Sequence, residues 1–128
     1  MPSSKVYITD YFKRVLKRLA KKHRSLNRDV RNLIDVLEAQ PYTGDRIGEQ
    51  AYKIRLAIRS KGRGKSGGAR VFTYINVMIE TVEAEDEVRV YLIDMLDKGE
   101  AENLPTDVIA QRVAESEEIE QARSSEEE

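Results

Sequence analysis

Two apolar stripes open the chain. Phe12, Val15, Leu16, Leu19 and Ala20 recur at i, i+3, i+4, i+7 and i+8, the spacing that lines up side chains on one face of an α-helix. The strand-like segment "KVYIT", 5–9, precedes it, and Asp10 is placed to cap the helix. Ser25 restarts the pattern as a second cap, and Leu26, Val30, Leu33, Ile34 and Leu37 give a second stripe that ends before Pro41. Two consecutive helices with a short break form a helical hairpin. Its apolar side needs a sheet to cover.

The sheet follows in the sequence. "PYTGDRIGEQ", 41–50, is loop by its proline and glycines. In "AYKIRLAI", 51–58, the residues Tyr52, Ile54, Leu56 and Ile58 face one way while Lys53, Arg55 and Arg59 face the other. "ARVFTYINVMIE", 69–80, alternates as well: Val71, Thr73, Ile75, Val77 and Ile79 form the apolar row, opposite Arg70, Phe72, Tyr74 and Asn76. A charged turn, 81–87, leads to a last strand, "VRVYLIDML", 88–96. Pro105 suits the first turn of a closing helix over roughly 105–115. The order is strand, helix, helix, three strands, helix, which predicts an α+β domain over 1–115. One sheet face packs on the helical hairpin, and the other carries cations and aromatics and is expected to stay partly open. Residues 116–128, "SEEIEQARSSEEE", read as an acidic tail, a frayed helix end or disorder.

Charge changes this picture more than composition does. The net charge of −1 at pH 7 hides a strong asymmetry. Residues 1–75 carry 18 Lys and Arg against 6 Asp and Glu, a net of +12, and residues 76–128 carry 4 against 17, a net of −13. The first part is suited to a polyanion and the last to self-solvation or to folding over a basic cleft. With no cysteine, disulfides and thiolate metal sites are excluded. The single histidine, His23, reads as a solvated residue at the end of the first helix, where the helix dipole favours it. No apolar run approaches the ~18 residues of a membrane span, and "MPSSKVYITDYFKR" lacks the apolar core of a secretory signal. The expectation is a cytoplasmic protein with no membrane partner, no metal and no cofactor.

The stretch "KGRGKSGGAR", 61–70, contains Gly64-Lys65-Ser66 but is no nucleotide-binding P-loop. That motif needs a glycine at position 59, which is Arg59, and a helix afterwards, where a strand pattern follows. Glycines that let backbone approach a phosphate chain, with Arg59, Lys61, Arg63, Lys65 and Arg70 on or beside them, point instead to nucleic-acid contact through counterion release. The cationic sides of the two helices extend this reading. Lys17, Arg18 and Lys21 lie in a segment with few interleaved acids, so i,i+4 pairing does not account for them. Contact with a nucleic acid does.

"AYKIRLAIRSKGRGKSGGARVFTYI" resembles the second and third strands of the RelE/ParE toxin superfamily, most of all the RelE/HigB-like subset, in which a Gly-Lys-rich loop and Gly-Gly-Ala-Arg-Val lead into the third strand. "LDKGEAENLP" is similar to that subset's segment before its last helix, and the resemblance spans residues 5 to about 113. It implies a RelE-like fold with an N-terminal strand and helical hairpin on a small, mainly antiparallel sheet. It also implies a type II toxin that cuts mRNA on the ribosome and is neutralised by a cognate antitoxin. The alternative is a non-catalytic nucleic-acid-binding or gyrase-inhibiting toxin-like module. A decayed toxin held in a complex is a third reading. The partners implied are the ribosome, mRNA and an antitoxin laying a helix or strand over the open sheet face.

The resemblance carries over Lys53, Arg55 and Arg70, which also share the polar row of adjacent strands. RNA cleavage needs a base for the 2′-OH, donors for phosphate charge and an acid for the leaving oxygen. Arg70 suits the phosphate because its fork matches phosphate oxygens. Lys53, beside Arg55 and Arg70, is the candidate base where water is excluded, so the enzyme is expected to be inert alone and active when docked. Tyr74 is placed to stack a base or donate a proton, with a half-buried strand tyrosine as the competing reading. Tyr91 has the same standing. Lys98 is a further cation near the cleft. Well-known members carry Arg and Tyr, or His and Tyr, near the end of the last strand and the start of the last helix. This chain has Asp97-Lys98-Gly99-Glu100 there, with Asn103-Leu104 beyond, and neither Tyr nor His.

Overall fold

The structure is a computed structural model that describes residues 3–62, 64, 67–78 and 87–127. It is α+β: a five-stranded mixed sheet and three helices. The elements run β1 (Ser3–Ile8), α1 (Asp10–Ala20), α2 (Leu26–Ala39), β2 (Asp45–Arg46), β3 (Ala51–Leu56), β4 (Ala69–Met78), β5 (Glu87–Asp97) and α3 (Thr106–Glu127). A 3-10 turn at Arg59–Lys61 follows β3. Ile79 and the expected turn as far as residue 86 lie outside the described residues. The strands lie in the order β1-β5-β4-β3-β2. β1 pairs parallel with β5, and the other three pairings are antiparallel.

The helical hairpin forms where the stripes place it. Phe12, Val15 and Leu19 of α1 and Leu26, Val30, Leu33 and Leu37 of α2 bury against Ile54, Val71, Ile75, Val88, Val90, Leu92 and Met95 of the sheet. Thr9, not Asp10, caps α1: its Oγ1 accepts from the Phe12 N–H at 3.2 Å and donates to the Leu92 carbonyl at 3.0 Å. One fully buried threonine thereby ends β1, starts α1 and ties both to β5. Ser25 precedes α2, but its hydroxyl goes to Asp29 and Ser60 rather than to the helix backbone.

β5 contains a bulge that the sequence does not advertise. Phe72 pairs with Asp94 and Thr73 with Leu92, so Ile93 is the extra residue. A bulge inverts the side-chain alternation beyond it. Val88, Val90 and Leu92 face the hairpin before it, and Met95 faces the hairpin after it.

The second sheet face is not open. Phe72, Tyr91 and Ile93 form a second apolar cluster with Tyr7, Tyr74, Leu96, Leu104, Val113 and Ile119. α3 supplies the last two and lies where a partner's helix or strand was expected. It does not end near residue 115 but continues to Glu127, so the segment expected to fray or be disordered is helical through that residue. Ser116 and Glu120 are buried. Glu120 accepts hydrogen bonds from Arg89 and Tyr91, and Arg112 donates to Asp94 at 3.1 Å while lying 3.5 Å over the Tyr11 ring. No helix among the described residues is long and apolar enough to cross a membrane.

Candidate functional site

The strand register decides which of the predicted site residues can meet. Lys53 sits opposite Phe72, and Arg55 opposite Arg70. Both pairs face α3, because Ile54 and Val71 pair on the hairpin side. Lys53 and Arg70 are therefore diagonal neighbours on one face of two adjacent strands, within reach of long side chains. Lys98 joins them from the turn after β5, where its N–H donates to the Gly68 carbonyl at 3.1 Å, one step before β4 begins. Gly68 has to be glycine because its backbone runs against the end of β3: a Cβ there would lie 1.9 Å from the Leu56 carbonyl oxygen.

Three cations converge on one carboxylate. Glu102, on the loop between β5 and α3, accepts from Arg70 Nε at 2.9 Å. The same oxygen lies 3.8 Å from Lys53 Nζ, and the other lies 3.6 Å from Lys98 Nζ. Lys53 Nζ also donates to Asn103 Oδ1 at 2.7 Å. Arg70 is 1% exposed, a burial that an arginine tolerates only with partners. The Arg70 hydrogen bond holds the Glu102 carboxyl below its ordinary range; partial burial opposes this, and the charges of Arg70, Lys98 and Lys53 add to it. Chemically, the arrangement is a seat for an oxyanion, built from one buried guanidinium and two ammonium groups.

Arg55 belongs to the same face, exposed, as Arg70's cross-strand partner. Tyr74 does not join the cluster. It lies four residues along β4 from Arg70, ~13 Å away at strand rise, with its hydroxyl donating to Gln50 at 3.1 Å. Burial, then the charges of Glu117, Glu120 and Glu49, pushes its hydroxyl above the usual range, which keeps the proton on it. Tyr91 is fully buried, stacked on Tyr7 with ring centroids 5.3 Å apart, and serves packing.

His23 is not solvated. Its side chain is 11% exposed and Nε2 lies 2.8 Å from Asp97 Oδ2. Lys61 Nζ donates to Asp97 Oδ1 at 3.2 Å, the Gly99 N–H to the same oxygen at 3.1 Å, and Lys22 lies 3.9 Å off. Burial alone would raise the Asp97 carboxyl, but the hydrogen bonds from His23, Gly99 and Lys61 outweigh it and bring it down to about 2. Lys61 is thus spent on an internal carboxylate, where free RNA contact was expected. This knot ties the hairpin, the turn after β3 and the end of β5 together. It also anchors the turn that carries Lys98 and leads to Glu102.

Of the remaining cations, Arg59 is exposed while its backbone N–H donates to Asp29 at 3.1 Å. Arg63 and Lys65 lie outside the described residues. Arg18 pairs with Glu100 at 3.2 Å. Lys17 and Lys21 are exposed and line a groove with Lys13, Leu16, Ala20 and Asn27. Asn27 also borders a second depression edged by Arg24, Arg28 and Arg31, so the cationic band continues from α1 onto α2. Among the described residues, no group of His, Cys, Asp and Glu side chains is arranged to hold a metal ion.

Glu102 is the participant that sequence reasoning missed. It sits in a loop without periodicity, and only the tertiary fold brings it to β3 and β4. The chain matches no protein-family model, no curated protein and no solved structure.

Proposed function

We propose that this protein is the RelE-like toxin of a type II toxin–antitoxin pair, a cytoplasmic, ribosome-dependent endoribonuclease that stops translation by cutting mRNA. The observation that carries the reading is the convergence of Lys53, Arg70 and Lys98 on a single anionic group. In the proposed reaction the RNA 2′-oxygen attacks the adjacent phosphorus and the bond from phosphorus to the 5′-oxygen breaks, leaving a 2′,3′-cyclic phosphate and a 5′-oxygen that takes a proton from water. Lys53 is the candidate acceptor of the 2′-OH proton. Arg70 and Lys98 balance the charge that builds on the phosphoryl oxygens. The band of Lys13, Lys17, Lys21, Arg24, Arg28 and Arg31 docks the protein on ribosomal RNA.

A non-catalytic nucleic-acid-binding module is the second reading. One observation favours it: Tyr74 lies away from the cluster, whose cations are engaged by Glu102 and Asn103. Among the described residues, then, no neutral acid stands ready there for the leaving oxygen. The two readings separate in a reconstituted translation reaction with a defined mRNA whose new 5′ ends are mapped. Wild type is compared with Lys53→Met, which keeps the stem but removes the ammonium. The nuclease reading expects cuts with wild type and a loss of at least ~100-fold with Lys53→Met, the lower end for a general base. Intact mRNA on ribosomes that have bound the wild-type protein would favour the binding module.

A further inference from the structure

The carboxylate at the centre of the cationic cluster fits its surroundings poorly. Among the described residues, Lys53, Arg70 and Lys98 share this one carboxylate, more positive charge than Glu102 alone balances. The hydrogen bonding is also incomplete. Oε1 has Arg70 at 2.9 Å, but Oε2 is shielded from solvent and has no hydrogen-bond partner, with Lys98 standing off at 3.6 Å. A buried acceptor left in that condition is unfavourable. A tetrahedral phosphate presents more oxygens in more directions than a planar carboxylate. It could therefore use all three cations together, as could a transition state bearing two negative charges.

The loop that carries Glu102 is held on both sides of it. The Glu100 and Ala101 N–H groups donate to the Asp97 carbonyl at 2.8 and 3.2 Å, and Leu104 packs into the second apolar cluster. The Glu102 side chain itself is 36% exposed. It can swing outward by rotation about its own bonds while both anchors stay in place.

We infer that Glu102 is a resident stand-in for phosphate: the Lys53–Arg70–Lys98 seat takes a phosphate-class anion, and Glu102 has to vacate it first. This deepens the nuclease reading and rests on it for the identity of the phosphate as RNA. The chain thereby carries its own competitor for the site. Substrate delivered at high local concentration by a docked partner displaces the carboxylate, and dilute phosphate does not.

The test follows the Arg70 Nε–H resonance of the full chain during titration with inorganic phosphate at constant ionic strength. Glu102→Gln, which keeps the shape and removes the charge, should bind phosphate about tenfold more tightly than wild type or better, the equivalent of losing one charge-assisted hydrogen bond. Lys98→Met in that background should reverse the gain. In wild type, where folding is not in question, saturating phosphate should move the Glu102 carboxyl carbon resonance toward that of a free carboxylate. Equal phosphate affinity in wild type and Glu102→Gln would overturn the inference. So would a Glu102 resonance that stays still while Arg70 responds. A 2′-deoxy dinucleotide in place of phosphate separates the sources. Tighter binding of the dinucleotide assigns the seat to a nucleic-acid phosphodiester. Tighter binding of inorganic phosphate keeps the seat but counts against the nuclease. Unchanged phosphate affinity with intact mRNA cleavage would instead sink the stand-in and leave the nuclease.

Discussion

Replacing Asp97 with asparagine removes the charge around which His23, Lys61, Lys22 and the Gly99 N–H are gathered. The side chain is 4% exposed, so solvent does little to screen these contacts. Its carboxyl sits at about 2 in the folded protein against an ordinary 3.8. At ~1.36 kcal/mol for each tenfold change, ionised Asp97 contributes about 2 kcal/mol to the fold. Because the folded value lies below the unfolded one, this contribution is complete above about pH 5 and is lost as the pH falls through 2. About 1 kcal/mol should be gone at pH 3 and about 2 kcal/mol at pH 2. Urea unfolding of wild type and Asp97→Asn between pH 2 and 7 reads the effect directly. The variant should be less stable by about 2 kcal/mol at neutral pH, and the difference should shrink toward zero near pH 2. Taking the difference cancels the contributions of Glu87 and Glu102, whose carboxyls are also held low, and of Asp94, which burial raises. Parallel pH profiles for the two proteins would refute the ion-paired carboxylate and, with it, the anchoring of the Lys98 turn.

Charge reversal at Lys17 and Lys21 should weaken ribosome binding. It should also flatten the salt dependence by about 0.7–0.9 in log–log slope for each phosphate no longer neutralised, measured by sedimentation at several salt concentrations. Arg18→Glu should also lower thermal stability slightly, because Arg18 has Glu100 as a partner. Tyr74→Phe should leave mRNA cleavage within about threefold of wild type, since the hydroxyl reaches Gln50 rather than the cluster; a loss of ~100-fold, in the range of a missing general acid, would return Tyr74 to the site. Glu120→Ala should cost about 2–3 kcal/mol in denaturant unfolding, because it strips Arg89 and Tyr91 of a buried acceptor, although Glu87 remains to pair Arg89 at 2.8 Å.

The parts of the fold that could be read from sequence are those in which one face of an element meets the core. Phe12, Val15 and Leu19 announce α1 because a helix with one buried side must repeat every three or four residues. Val71 and Ile75 announce β4 because a strand must repeat every two. β5 lies between the hairpin and α3 and is buried along most of its length, so its run of apolar residues carries no phase, and the bulge at Ile93 leaves no mark. β2 consists of two exposed residues and exists only through its pairing with Tyr52 and Lys53. The far half of α3 was obscured by acidic composition. Ile109, Val113, Ser116 and Glu120 still recur at helical spacing, and Glu120 is buried because Arg89 and Tyr91 supply partners that local sequence does not reveal.

The candidate site divides in the same way. Lys53, Arg55 and Arg70 could be placed on one face from strand alternation alone. Lys98 could be named but not positioned. The roles of His23 and Lys61 depend on Asp97, 74 and 36 residues away in the chain, and proximity at that range is a product of folding. Glu102 lies 32 residues from Arg70 in a loop without pattern. An acid whose role is to occupy a basic site leaves no periodic signal. The charge asymmetry between the two parts of the chain was its only trace.

The most direct test of the nuclease is to incubate purified protein with one defined mRNA, with and without ribosomes, and to map the ends. The proposed function predicts cuts that appear only when ribosomes are present and that vanish in Lys53→Met. Cleavage at a comparable rate without ribosomes, or intact mRNA on ribosomes saturated with the protein, would contradict it.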